Sequence, residues 1–193
     1  MMALASVGVP EAVYWETYRE ARNDAGGLMT YSDKRHAEAL AARGFVYDLV
    51  FKQLAESVAQ AKAFLASDAI SFLHFLKSTG EPLVLLSLGE PGMQEWKVRQ
   101  SGIHDFFDRL FFVDAGKKQI LSELQEAESG DCSCWLVNDK VGETKELLEA
   151  FPKLRAVLRR SDSIPITEYE ESGLPYFKTL TGIQHYIERY GKK

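Results

Sequence analysis

LVLLSLG, residues 83–89, is a short apolar run closed by a turn residue, the form of a strand covered by helices on both faces. Before it, AISFLHFLKSTG (69–80) reads as an apolar helix stopped by Gly80, with Pro82 following. After it, a helix over 91–101 leads to a second strand, RLFFVDA (109–115). KKQILSELQEA (117–127) is then a helix that turns Ile120, Leu121 and Leu124 inward, and CWLVND (134–139) is a third strand. The helix ETKELLEAF (143–151) stops before Pro152, and RAVLRR (155–160) is a fourth strand. A short extended piece, PYFKTL (175–180), precedes a closing helix with Ile183, Tyr186, Ile187 and Tyr190 at helical spacing. Strands alternating with helices dictate right-handed crossovers and a mostly parallel, doubly wound α/β sheet. Ligands bind such sheets outside the carboxyl ends of the strands. The residues to read there are Ser87, Asp114 and Asp139, with Lys117 just beyond.

Upstream the periodicity changes. Up to residue 66 every periodic signal is helical. Pro10 suits a first helical turn, and Val13, Tyr14, Thr17, Tyr18 and Ala21 follow along one stripe. Asn23, Asp24, Gly26 and Gly27 break that helix, and Ser32 caps a second one that ends at Gly44. A third helix aligns Val50, Phe51, Leu54, Val58, Ala61 and Leu65. Residues 1–66 therefore read as a helical lobe and 67–193 as the α/β core.

Composition narrows the function. With 193 residues the chain holds one sizeable core, or one core and a small lobe. A net charge of −5 argues against a nucleic-acid binder, which carries a basic face. No apolar run reaches the roughly 20 residues that span a bilayer, and MMALASVGVPEAVYW lacks the basic start of a secretory signal. The expected setting is cytoplasmic, without a membrane partner. Cys132 and Cys134 alternate along the third strand and read as buried structural thiols. His36, His74, His104 and His185 have no metal-ligand spacing. Tyr14, Trp15 and Tyr18 either pack within the helical lobe or line a face of it.

The strand ends offer a phosphate chemistry. The Ser87 hydroxyl and the backbone N–H groups of Leu88 and Gly89 suit a phosphate oxygen, and the Lys117 ammonium suits the charge of a phosphoryl group. Asp139 and Glu143, four residues apart, direct two carboxylates to the mouth of the sheet, the oxygen donors magnesium prefers when it shares a phosphate. Taken singly, each also has an ordinary reading: a turn serine, a solvated lysine, first-turn acids favoured by a helix dipole. Their order on successive strand ends is what carries weight.

LVLLSLG, EWKVRQSGIHDFFDRLFFVDAGK (95–117) and WLVNDKVGETKE (135–146) together resemble the haloacid-dehalogenase superfamily of phosphatases and related hydrolases, and KVRQSGIHDFFDRLFFV (97–113) is the most characteristic phrase. The resemblance spans residues 68–160. It implies a Rossmann-like core, Ser87 as the phosphate-binding residue of the second motif, and Lys117 as the third-motif lysine, with Lys118 as the fallback. It also implies Asp139 and Glu143 as the acids around Mg2+, and small phosphorylated metabolites as substrates. Residues 1–66 become the helical cap. Asn138 stands where the family often has glycine.

One motif is absent. The family attacks phosphate with an aspartate of a D-x-D sequence at the end of the first strand, and these 193 residues contain no D-x-D. MMALASVG resembles the tail of a helix just after that motif. The resemblance therefore implies a magnesium-dependent phosphatase whose nucleophile strand lies outside the sequence, inactive or impaired as given. The alternative is a non-catalytic relative that binds a phosphorylated ligand or a protein partner. A receiver-like domain is the third reading, but its cluster of acids after the first strand is missing.

Overall fold

The structure is a computed structural model and describes residues 2–22, 31–114, 116–127 and 134–191. The chain divides into two compact units, one of residues 1–65 with 82–117 and one of 66–81 with 118–193. The helix break predicted at Asn23–Gly27 and the side chain of Cys132 lie outside the described residues.

The first unit opens with four helices: α1 (Met2–Ala5), α2 (Glu11–Arg22), α3 (Asp33–Ala41) and α4 (Tyr47–Ala59). Ser32 caps α3, its hydroxyl accepting from the Arg35 N–H, and Gly44 follows that helix at φ +92°, as the sequence predicts. Leu4, Val9, Ala37, Leu40, Val50 and Leu54 form one buried cluster. Each such Val or Leu contributes on the order of 1.5–3 kcal/mol by leaving water. Of the predicted α4 stripe, Val50 and Leu54 are buried and Phe51 is 39% exposed; the Val58 side chain lies outside the described residues. Arg43 ties α2 to the end of α3 through Glu16 (3.0 Å) and Glu20 (2.6 Å).

The same unit contains β1 (Val84–Leu88), α6 (Pro91–Ser101) and β2 (Arg109–Val113). The two strands are parallel, with Ser87 opposite Phe112 and Leu88 opposite Val113. Asp108 fixes their start by accepting the Leu83 N–H at 2.8 Å. β1 was expected to be buried on both faces, yet it is half-buried throughout. Among the described residues β2 is its one hydrogen-bonded neighbour, so its other edge is open.

The second unit holds α5 (Ala69–Ser78), α7 (Lys118–Ala127), β3 (Trp135–Asn138), α8 (Val141–Ala150), β4 (Arg155–Arg159), α9 (Ile166–Ser172), β5 (Tyr176–Phe177) and α10 (Leu180–Tyr190). Its sheet is parallel in the order β3-β4-β5. Successive residues of a strand point to opposite faces, and β4 shows the result. Val157 packs with Phe72 of α5 and with Ile183 and Ile187 of α10. Leu158 packs with Val141 of α8 and Tyr169 of α9. Helices therefore cover both faces of the strand, as a doubly wound α/β fold requires. β3, like β1, pairs on one side only among the described residues. No helix among the described residues is long and apolar enough to cross a membrane.

Candidate functional site

Ser87 stands one residue before the end of β1, and its hydroxyl donates to Gln94 Oε1 of α6 at 3.2 Å. The Gly89 N–H, expected to face a phosphate, instead donates to the Val113 carbonyl at 2.8 Å and closes the strand pair. Consecutive N–H groups alternate between the two edges of a strand. Leu88 therefore directs its N–H to the open edge of β1, and of the two predicted backbone donors it is the one so placed. Gly89 itself is required. Its φ of +154° is a conformation that L side chains rarely adopt, and a Cβ there would run into the Gln94 side chain.

The helix that follows is capped from within. The Glu90 carboxylate accepts from the Gly92 N–H (3.2 Å) and the Met93 N–H (2.7 Å), and Pro91 occupies the first turn. The amides that most often hold an anion at such a position already hold one.

Lys117 is half-buried four residues past Val113, at the same end of the strand pair as Ser87. Lys118 is exposed and opens α7, and Asp114 is exposed at the end of β2.

In the second unit Asp139 is exposed immediately after β3. Asn138, 9% exposed, donates through Nδ2 to Glu143 Oε2 (2.9 Å) and to Thr144 Oγ1 (3.0 Å). Thr144 passes its own proton to the Lys140 carbonyl at 2.7 Å. A glycine at 138 would leave Glu143 without this donor, so the departure from the family pattern orients the second acid. The completely buried Tyr169 donates to the Asp139 carbonyl at 2.9 Å and accepts the Ser161 N–H at 2.9 Å. It thereby fixes the ends of β3 and β4 together. Ser87 and Lys117 thus share one unit, and Asp139 and Glu143 share the other.

The helical part of the first unit holds an arrangement that spacing did not disclose. His36, fully buried, lies between Thr17 Oγ1 (2.9 Å from Nε2) and Tyr31 Oη (2.9 Å from Nδ1). Thr17 gives its proton to the Val13 carbonyl at 2.8 Å. With that proton spent, Thr17 Oγ1 accepts from His36 Nε2. Burial holds His36 down at about 4 and raises the Asp33 carboxyl and the Tyr31 phenol. The pairing of Thr17 with the stripe Tyr14–Tyr18 was the signal for it; the partner lies 19 residues away.

No protein-family model and no curated protein matches this chain. Solved structures do. One described as a haloacid dehalogenase-like hydrolase from Burkholderia xenovorans is 19% identical, covers 100% of this chain and 88% of its own, and gives a TM-score of 0.71. The HAD-hydrolase YfnB from Bacillus subtilis, bound to magnesium, is 14% identical over 96% of this chain and 88% of its own, with a TM-score of 0.60. A predicted phosphoglycolate phosphatase from Haemophilus somnus is 15% identical over 96% and 87%, with a TM-score of 0.59. The chain has the fold of the haloacid-dehalogenase-like hydrolases.

Proposed function

We propose that this chain is the cap and most of the core of a haloacid-dehalogenase-like phosphohydrolase acting on small phosphorylated metabolites. In this reading residues 1–66 are the cap, Ser87, the Leu88 N–H and Lys117 bind the phosphoryl group, and Asp139 with Glu143 binds Mg2+. The aspartate nucleophile comes from a D-x-D strand that is not among these 193 residues.

The observation that carries the reading is that β1 and β3 each have a hydrogen-bonded neighbour on one side only among the described residues. These are the strands ending near Ser87 and Asp139, between which the family's nucleophile strand runs. The donor types also fit magnesium: an exposed carboxylate at Asp139 and a second, at Glu143, oriented by Asn138. Two carboxylates with substrate phosphate and water are an ordinary magnesium shell. Among the described residues no three of His, Cys, Asp and Glu cluster to hold a metal without such help. Bound there, magnesium neutralises phosphoryl charge. Lys117 supplies a second positive charge.

A non-catalytic phosphate-binding relative is the second reading, favoured by the absence of D-x-D. The test uses 4-nitrophenyl phosphate with magnesium. The chain as given shows no turnover, whereas a chain extended upstream by a strand ending in D-x-D hydrolyses the ester and loses activity on Asp139→Asn. An inactive extended chain selects the binding reading. Magnesium-dependent hydrolysis by the chain as given, lost on Asp139→Asn, refutes the external nucleophile and makes Asp114 the first group to examine.

A further inference from the structure

Within the first unit, α2, α4 and α6 enclose a cavity of about 400 Å3, inside the range of roughly 300–1,000 Å3 typical of small-molecule sites. Its walls are mostly aromatic and aliphatic. Tyr14 and Tyr18 stack at 6.0 Å with their planes 12° apart, and Tyr31 leans on Tyr18 at 5.0 Å. Phe64 also lines it, yet is 78% exposed, which sets that ring at the mouth. An aromatic left so open beside an apolar cavity gains by covering a ligand.

The polar wall groups are few, and several are already engaged. Ser101 donates to the Val98 carbonyl at 2.8 Å, Ser57 donates to the Gln53 carbonyl at 3.0 Å, and the Tyr31 hydroxyl shares a hydrogen bond with His36. Lys97 is the charged member of the lining, its ammonium 5.8 Å from the Tyr31 ring centre. Burial pulls its pKa down, and Asp33, which is not part of the wall, opposes that pull. A ligand anion at Lys97 relieves the burial of an ammonium, whereas a ligand cation meets repulsion and no lining carboxylate.

Lys97 follows Gln94, the partner of Ser87, by three residues of α6, about 4.5 Å along the helix axis. The helix that carries the phosphoryl end therefore also carries the cavity wall. We propose that the cavity receives the organic part of the substrate and selects a flat aromatic group bearing an anionic substituent, the ring against Tyr14, Tyr18 and Tyr31 and the anion at Lys97. The assignment to substrate rests on the phosphohydrolase reading; the ligand chemistry does not.

The test is calorimetric titration with 2-naphthoate, 2-naphthylmethylammonium and cyclohexanecarboxylate, none of them phosphorylated. The naphthoate binds at least tenfold more tightly than either of the others. Lys97→Met, checked for folding by near-ultraviolet circular dichroism, loses that preference, and Lys97→Arg keeps it. Equal binding of the aromatic acid and the aromatic amine overturns the proposal. So does undiminished naphthoate binding by folded Lys97→Met; if that variant does not fold, weak binding by Lys97→Arg overturns it instead. Naphthoate selectivity without hydrolysis by the extended chain removes the enzyme reading alone. Hydrolysis without selectivity removes the cavity proposal alone.

Discussion

Tyr169 donates its phenol proton to the backbone carbonyl of Asp139 across 2.9 Å, from a ring with no exposed surface. The same oxygen accepts the Ser161 N–H, so one side chain satisfies the chain leaving β3 and the chain leaving β4. Tyr169→Phe keeps the packing and strands both backbone groups. Each buried unmet partner costs about 1–3 kcal/mol. Both bonds are only part-buried, so water offsets some of the cost. Urea denaturation is expected to show a total loss of about 1–3 kcal/mol, and hydrogen exchange a faster Ser161 amide.

Gly89 combines an unfavourable φ with the press of Gln94. Gly89→Ala is expected to lower stability by more than about 1 kcal/mol. In a Gln94→Ala background the penalty shrinks but does not vanish, since backbone strain remains when the clash is gone. A double-mutant cycle separates the two parts.

Asn138 supplies Glu143 with a donor. Asn138→Ala is expected to weaken magnesium binding by the extended chain by about 10–100-fold, the usual effect of removing a group that orients a metal ligand. Titration calorimetry with magnesium alone measures it. Unchanged affinity would separate Glu143 from the metal.

His36 sets a pH dependence. Burial holds its folded pKa at about 4, below the ordinary 6.5, so the fold favours the neutral ring. The stability it provides is complete above 6.5 and falls as pH drops from 6.5 toward 4, because the unfolded chain takes up a proton that the fold refuses. The slope approaches about one proton at its steepest. Asp33 works in the opposite sense. Its raised pKa gives stability that is lost as pH rises through the folded value. Imidazole carbon shifts of His36 followed by NMR are expected to stay neutral at pH 5; a midpoint near 6 would show that the ring is not shielded from water.

Most of the core could be read from the sequence because helix and strand differ in period, and the apolar runs at 84–88, 109–113, 135–138 and 155–159 became the strands of the sheets. β4 is the clearest instance, with Val157 and Leu158 buried on opposite faces. Chain ends and long-range hydrogen bonds were not legible. Nothing local told that Gly89 would spend its N–H on Val113, a partner 24 residues on, or that Tyr169 would reach back 30 residues to Asp139. Local chemistry did survive at Ser32, where a capping residue needs only the next turn.

The carboxylate of Glu90 gives α6 a resident tenant at its amino end. An incoming phosphate that leans toward those amides competes with a group tethered a few bonds away, whose effective concentration no change of buffer can lower. If the chain acts as the proposed phosphohydrolase, weak retention of inorganic phosphate is the expected result. Glu90→Gln, which keeps the side-chain oxygen but removes the charge, is expected to lower the inhibition constant of inorganic phosphate for the extended chain severalfold, measurable by steady-state kinetics. Under the proposed function, the protein would carry a built-in rival to its own product.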